Sequence, residues 1–128
     1  MKKKILSLVP LLLAMPVQAQ DTSKRIEIVL DSFKYVPNRI VLQHGETYVL
    51  HFTNTSSGGH DFVARTFFAA ARVDPRDAGK VADGEIELGS GKSVDIRLTA
   101  PAAGGSYKVH CSHFMHSTFG MTGDIVVN

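Results

Sequence analysis

The sequence lacks a hydrophobic run long enough to cross a bilayer. Its most apolar stretch, Ile5–Ala14, is about half the length of a membrane-spanning helix. Lysines at Lys2–Lys4 precede this stretch, and the small-x-small pattern of Val17–Ala19 follows it. This order is typical of a signal peptide rather than an anchor. We therefore predict that residues 1–19 are cleaved after export to the periplasm and that residues 20–128 form the mature protein.

The predicted mature chain also lacks a basic tract. The full sequence has 14 basic and 12 acidic residues, and removal of the three leader lysines leaves 11 basic against 12 acidic residues. Without a cluster of positive charge, nucleic acids and anionic membrane surfaces are not expected as partners. A chain of this length predicts a single domain with one modest core.

A second cysteine is absent, and Cys111 is the only thiol of the protein. Exported proteins usually pair their cysteines or have none. A single thiol in an oxidising compartment is therefore either a buried, inert side chain or a group occupied by a ligand.

The sequence has no internal repeat and no glycine-rich phosphate loop between a strand and a helix. Short alternating apolar segments at close spacing instead predict an all-β protein, a Greek-key antiparallel β-sandwich of about eight strands. The strands are predicted at Arg25–Leu30, Arg39–Gln43, Thr47–Asn54, His60–Val63, Gly84–Leu88, Ser93–Leu98, Ser106–Cys111 and Gly123–Val127. One short helix is predicted at Thr66–Val73, with Phe67 and Phe68 in the core rather than on a docking surface.

One stretch near the C-terminus, Tyr107–Met121, concentrates the chemically active side chains. It contains the only cysteine, three of the six histidines and two of the four methionines. Within it, Cys111, His116 and Met121 follow the spacing Cys-x4-His-x4-Met. Strand alternation directs Cys111 inward and its neighbour His110 toward solvent. The loop that follows can bring the three evenly spaced side chains to one point.

A fourth ligand must come from another part of the chain. His60 is the best candidate, because it ends a small-residue loop at the start of a strand, whereas His44 lies in a turn and His51 on an outward strand face. Two imidazoles, one thiolate and one thioether are the ligands of a mononuclear copper site with a weak axial methionine. Zinc would accept the same three strong ligands, but it normally adds a fourth strong ligand or a water.

The pattern resembles the cupredoxins, the blue-copper proteins that include plastocyanin, pseudoazurin and azurin. The resemblance extends from the Ile40–Gly45 strand and turn to Val127, and Gly105-x-Tyr107-x-x-x-Cys111 is close to the blue-copper domain of bacterial copper nitrite reductases. It implies that His60, Cys111 and His116 are the strong copper ligands and that Met121 is the axial one. It also implies one copper ion per chain, cycling between Cu(I) and Cu(II).

The chain departs from the family pattern in its ligand loop and in the helical insert Thr66–Val73, and it has an aspartate at a position where asparagine is common. Asp61 follows the first histidine, where the family often has an asparagine that braces the ligand loop. His113 and Met115 lie inside the loop and form His-x-Met-His with His116, which is either a second copper-handling patch or a pair of exposed side chains.

The loop also resembles the end of multicopper oxidases, but Ser112 replaces a required histidine and no His-x-His pair exists in the chain.

We therefore predict a periplasmic electron carrier without enzymatic activity of its own. Electrons would pass through the exposed edge of His116, and Phe114, Met115 and Phe119 would form an apolar rim for a transient redox partner. We expect a monomer without stable membrane insertion. The alternative is a copper-tolerance or trafficking protein that exchanges copper with a donor or acceptor protein and uses His113 and Met115 as transfer ligands.

Overall fold

A computed structural model of the chain describes residues 1–7, 9–17 and 23–128. Residues 1–7 and 9–17 are exposed and form neither helix nor strand. The predicted cleavage site after Ala19 and the predicted start of the mature domain at residue 20 lie outside the described residues. Within the described ranges, no helix has the length and apolar character needed to cross a membrane.

Residues 24–127 fold into two stacked β-sheets with one short α-helix. The strands are β1 Lys24–Asp31, β2 Lys34–Val36, β3 Arg39–Leu42, β4 Thr47–Asn54, β5 His60–Val63, β6 Arg72–Val73, β7 Glu85–Leu88, β8 Ser93–Thr99, β9 Gly105–His110 and β10 Thr122–Val127. The first sheet has the order β2-β1-β4-β8-β6, and the second has the order β3-β10-β9-β5-β7. The helix α1 is Arg65–Ala70, and a turn of 3₁₀-helix covers Ala78–Lys80. The predicted all-β sandwich is confirmed.

The core lies between the sheets and is filled by alternate residues of each strand. In β4 the alternation is complete, with Tyr48, Leu50 and Phe52 buried and the residues between them partly exposed. Because side chains of a strand point alternately to its two faces, this pattern directs one face of each sheet inward. Phe67 and Phe68 of α1 are also buried, as the sequence predicts.

The structure corrects the prediction in three details. Two strand pairs, β1 with β4 and β3 with β10, are parallel rather than antiparallel, because the chain changes sheets between β1 and β4. The predicted helix Thr66–Val73 begins one residue earlier and ends at Ala70, since Ala71 is extended and Val73 pairs with Leu98 of β8. Two short strands, β2 and β6, are not among the eight predicted strands, and β6 lies at the end of the predicted helix.

A buried carboxylate attaches the segment between β6 and β7 to β8. Asp77 is 1% exposed and accepts hydrogen bonds from Lys80 Nζ at 2.7 Å and from the backbone N–H and Nη1 of Arg97, both at 2.9 Å. Burial alone would raise the pKa of Asp77, but these hydrogen bonds outweigh it and hold the pKa below its ordinary value.

Asp77→Asn is expected to lower the free energy of unfolding at pH 7 by about 1–3 kcal/mol, because it removes the charge that Arg97 and Lys80 bond. Since the pKa of Asp77 is lower in the folded than in the unfolded chain, this stabilisation is complete above an unfolded pKa of about 3.9 and is lost as the pH falls through the folded value. Urea unfolding of the metal-free protein at pH 7 and near pH 3 measures the difference. Asp83→Asn, at an exposed position of the same segment, is the matched control. An equal effect of both variants at pH 7 would contradict this role of Asp77.

Candidate metal centre

The loop between β9 and β10 is closed at its base by the pairing of these two strands. Thr122 lies opposite His110 in the antiparallel register, and the next residue pair continues it, because the Cys111 N–H donates to the Met121 carbonyl at 3.1 Å. Both side chains of that pair are completely buried. The strand pairing thus places Cys111 and Met121 beside each other at one end of the core.

Hydrogen bonds inside the loop return its chain toward this base. The His116 N–H donates to the His113 carbonyl at 3.1 Å, and the Met121 N–H donates to the His116 carbonyl at 3.0 Å. Gly120 has a φ of +99°, a conformation that favours glycine, and it lies directly before Met121. These turns hold His116 above Cys111 although the loop has no regular secondary structure.

His60 reaches the same point from β5. This strand runs antiparallel to β9, with Val63 opposite His110. Continued along the loop, the register places Asp61 opposite Ser112 and brings His60 to the loop. His60 is 2% exposed.

The three predicted strong ligands point their donor atoms at one another. The separations are 3.1 Å between the Nδ1 atoms of His60 and His116, 3.5 Å between Cys111 Sγ and His116 Nδ1, and 3.9 Å between Cys111 Sγ and His60 Nδ1. Two imidazoles and a thiol therefore converge, and these three residues form one of two groups in the described chain whose arrangement could hold a metal ion.

The size of this triangle fits a metal ion. A circle through three atoms separated by 3.1, 3.5 and 3.9 Å has a radius of about 2 Å. Metal bonds to imidazole nitrogen and to thiolate sulfur in proteins are about 2.0–2.3 Å long. An ion near the centre of the triangle would thus be within bonding distance of all three atoms without movement of the backbone. The donor set, two nitrogens and one thiolate with a buried methionine beside them, is the one that copper favours.

The electrostatics of the site disfavour charge on the protein groups when no cation is bound. Burial, followed by the proximity of His116 and His113, lowers the pKa of His60 and favours its neutral, metal-binding form. Burial also raises the pKa of the Cys111 thiol. A cation stabilises the thiolate against this burial, so metal binding at this site would release the proton of Cys111.

The ring of His60 has its polar contacts on one side only. Its Nδ1 faces the other two donors, whereas its Nε2 is buried and has no hydrogen-bond partner among the residues that the structure describes. A ligand bond at Nδ1 leaves the ring proton on Nε2. His60 is thus oriented for coordination through Nδ1.

Asp61 ties the strand β5 to the ligand loop. Its carboxylate is 1% exposed and accepts hydrogen bonds from the backbone N–H of Ser112 at 2.7 Å and from the Ser112 hydroxyl. The hydroxyl of Tyr35 donates to the backbone carbonyl of Asp61 at 2.6 Å. The residue next to His60 therefore bonds the residue next to Cys111, which fixes the distance between these two side chains.

His113 and Met115 occupy different settings in the loop. His113 is directed to Glu87 of β7, with Nε2 at 2.9 and 3.1 Å from the two carboxylate oxygens. His113, Glu87 and Asp61 form the second group of possible metal-binding residues in the described chain, and their donor atoms lie within 4.8 Å of one another. Met115 is exposed and has a φ of +64°.

The other three histidines lie away from this cluster. His110 is exposed on the outer face of β9. His51 bonds Asp95 at 2.6 Å on the outer face of the first sheet, and His44 Nδ1 contacts the carbonyl of Asn128 at 2.8 Å. Their exclusion as ligands on strand phase and turn position agrees with these contacts.

The surface around His116 is apolar, and it includes a phenylalanine that no sequence pattern assigns to it. Phe114 is 90% exposed and Phe119 is 61% exposed. Phe33, from the turn between β1 and β2, contacts the ring of His116 edge-on at a centroid distance of 4.9 Å and that of Phe119 at 5.2 Å. No local signal identifies Phe33, because its proximity to the loop depends on the stacking of the two sheets.

Comparison with known proteins identifies related domains. A family model described as a cupredoxin-like domain matches residues 4–127. The chain is similar to the structure of sodium-dithionite-reduced auracyanin from the photosynthetic bacterium Roseiflexus castenholzii, at 27% identity over 84% of this chain and 99% of that chain, with a TM-score of 0.61. It shares its fold with auracyanin B, at 18% identity over 88% of this chain and 94% of that chain, with a TM-score of 0.62. No curated protein matches the sequence.

Proposed function

The chain belongs to the cupredoxin-like domain family, and from this membership we propose that it carries single electrons between redox partners in the periplasm through a mononuclear type 1 copper site. His60, Cys111 and His116 are the strong ligands in this proposal, and Met121 is the axial ligand. The family and the site fit one copper ion per chain. Bound copper supplies a one-electron couple between Cu(I) and Cu(II).

One observation carries the proposal: two imidazole nitrogens and a buried thiol converge at separations of 3.1–3.9 Å, with a buried methionine beside the thiol. This arrangement is held by the pairing of β9 with β10, by the backbone hydrogen bond between Cys111 and Met121, and by the hydrogen bonds between Asp61 and Ser112. Rigidly held ligands move little when the charge of a bound copper ion changes, and this favours rapid electron transfer. The similarity to an auracyanin described as reduced by dithionite supports a redox role.

His116 is the ligand through which we propose that electrons enter and leave. Its ring is only partly buried and contacts Phe33, which in turn contacts Phe119, and the exposed Phe114 lies two residues earlier in the same loop. These exposed rings let a partner approach His116 and exclude water from the contact. Such a contact is small and short-lived, as is typical of electron-transfer complexes.

The periplasmic location follows from the predicted signal peptide of residues 1–19. An oxidising compartment is compatible with the chain, because its only thiol is completely buried and, in this proposal, bound to copper. Processing is tested by the N-terminal sequence of the protein isolated from the periplasm of an expressing bacterium. An intact Met1 on periplasmic protein would contradict cleavage after Ala19.

Phe114→Ser is expected to slow electron self-exchange about fivefold, which corresponds to a loss of ~1 kcal/mol of encounter free energy. The reason is that two copies must approach through the apolar surface around His116. NMR line broadening in mixtures of the reduced and oxidised protein measures the rate. Val41→Ser is the matched control, since Val41 is an exposed apolar residue on the outer face of β3. Equal rates for wild type and Phe114→Ser would contradict electron transfer through this surface.

The trafficking alternative is tested by copper stoichiometry. It requires His113 as an available ligand, but Glu87 already contacts Nε2 of His113. We therefore favour the electron carrier. Two bound copper ions per wild-type chain, with one lost in His113→Ala, would support the alternative instead.

A further inference from the structure

His113 lies in the ligand loop, but the proposed electron transfer gives it no role. It is not free, because its Nε2 faces both carboxylate oxygens of Glu87 at 2.9 and 3.1 Å. Glu87 belongs to β7 and pairs with Asp61 of β5 in the sheet. The loop is thus attached to the second sheet at His113 as well as at Ser112.

The ring of His113 lies nearly parallel to the ring of His116. Their centroids are 5.4 Å apart and their planes differ by 19°. Phe33 contacts His116 edge-on, at an interplanar angle of 66°. Two aromatic contacts of different geometry therefore restrict the imidazole of His116, which lies on a loop without regular secondary structure.

The space beside the His113–Glu87 pair is closely fitted. A Cβ atom at Gly59 would lie 3.2 Å from Cε1 of His113 and 3.5 Å from Oε1 of Glu87. Contacts at the shorter distance are tighter than ordinary van der Waals packing. The glycine that precedes His60 thus allows His113 to sit against the strand that carries the other imidazole.

We propose that His113, held by Glu87, is a positioning residue that fixes the imidazole of His116 with Nδ1 directed at Cys111 and His60. This inference rests on the proposed function, in which His116 is a copper ligand. An imidazole free to turn about its side-chain bonds would direct Nδ1 at Cys111 and His60 only part of the time. The nearly parallel ring of His113 restricts the plane of the His116 ring, and Glu87 keeps His113 in place.

The carboxylate is needed because stacking alone is weak. An aromatic pair contributes about 0.5–1.5 kcal/mol beyond its buried area, and His113 is itself part of the irregular loop. The hydrogen bond to Glu87 attaches His113 to the strand β7, and His113 in turn restricts the ring of His116. Removal of either member of the pair should therefore have the same consequence for His116.

The test uses four variants and the full chain. His113→Ala removes the stack, Glu87→Ala removes the bond that holds it, Glu87→Gln keeps one acceptor oxygen for His113, and the double variant His113→Ala/Glu87→Ala tests whether the two act as one unit. The first readout is NMR of the metal-free protein, in which the ring protons of His116 report its orientation. The second is the rate at which a Cu(I) chelator removes copper from the reduced protein, together with its copper stoichiometry.

We expect wild type and Glu87→Gln to show a single orientation of His116 with contacts between its ring protons and those of His113. His113→Ala and Glu87→Ala should show averaged or broadened ring signals and weaken copper retention about 10–100-fold, the range typical of residues that orient a ligand. The double variant should be no worse than either single one, and the stoichiometry should stay at one copper per chain.

Unchanged His116 signals and copper retention in His113→Ala would overturn the inference, as would additive effects in the double variant. Loss of a bound copper ion in His113→Ala would also overturn it, because His113 would then be a ligand. If the wild type bound no copper, the proposed function would fail, but the ring signals of the metal-free protein would still decide whether His113 positions His116.

Discussion

Cys111→Ser is expected to abolish the intense visible absorption that the purified wild-type protein develops when Cu(II) is added. The absorption of a type 1 site arises from charge transfer between a thiolate and copper, and a serine hydroxyl cannot supply it. Cys111 is the only cysteine of the chain, so no other thiol can replace it. The predicted effect is complete loss of the band together with greatly weakened binding of copper.

Two comparisons make this experiment specific. His110→Gln changes the neighbouring residue, which is exposed on the outer face of β9, and it should leave the band intact. Unfolding curves of the metal-free proteins should show that Cys111→Ser is folded, because serine has nearly the shape of cysteine. A wild-type protein that is folded but develops no intense band with Cu(II) would refute the type 1 assignment.

The strands that could be predicted from the sequence are those in which one face is buried and the other is exposed to solvent. In β4 and β8 this contrast is visible in the sequence, and the predicted and observed strands agree to within one residue. The strand β6 has only two residues, too few for an alternation, and its pairing with β8 ends the helix that local composition favours. Parallel pairing of β1 with β4 depends on the path of the chain between the sheets, which no local pattern records.

The site divides in the same way. Cys111, His116 and Met121 lie on one loop, so their spacing alone indicates that they could bind the same metal ion. The position of His60 at a strand start and the family resemblance indicate it as the fourth ligand, and in the structure its Nδ1 lies 3.1 Å from Nδ1 of His116. Apart from Asp61, which the family resemblance indicates, the partners of these residues could not be read from the sequence. Glu87 and Phe33 reach the loop from other strands and turns, and only the packing of the sheets places them there.

Asp61→Ala is expected to weaken copper binding by about 10–100-fold, which is the usual effect of removing a partner that orients a ligand. The carboxylate accepts two hydrogen bonds from Ser112, and Ser112 follows Cys111 directly. Alanine removes both bonds, so the distance between the strand that carries His60 and the loop that carries Cys111 is no longer fixed. Competition with a Cu(I) chelator measures the affinity.

Asp61→Asn is the decisive comparison, because asparagine can accept from the Ser112 N–H and donate to its hydroxyl. If the bonds themselves hold the loop, Asp61→Asn keeps most of the affinity, and Ser112→Ala, which loses only the hydroxyl bond, falls between the wild type and Asp61→Ala. If Asp61→Asn were as weak as Asp61→Ala, the charge of the carboxylate rather than its hydrogen bonds would be responsible. In both cases the reduction potential of Asp61→Asn should be raised, because loss of a negative charge beside Cys111 disfavours Cu(II).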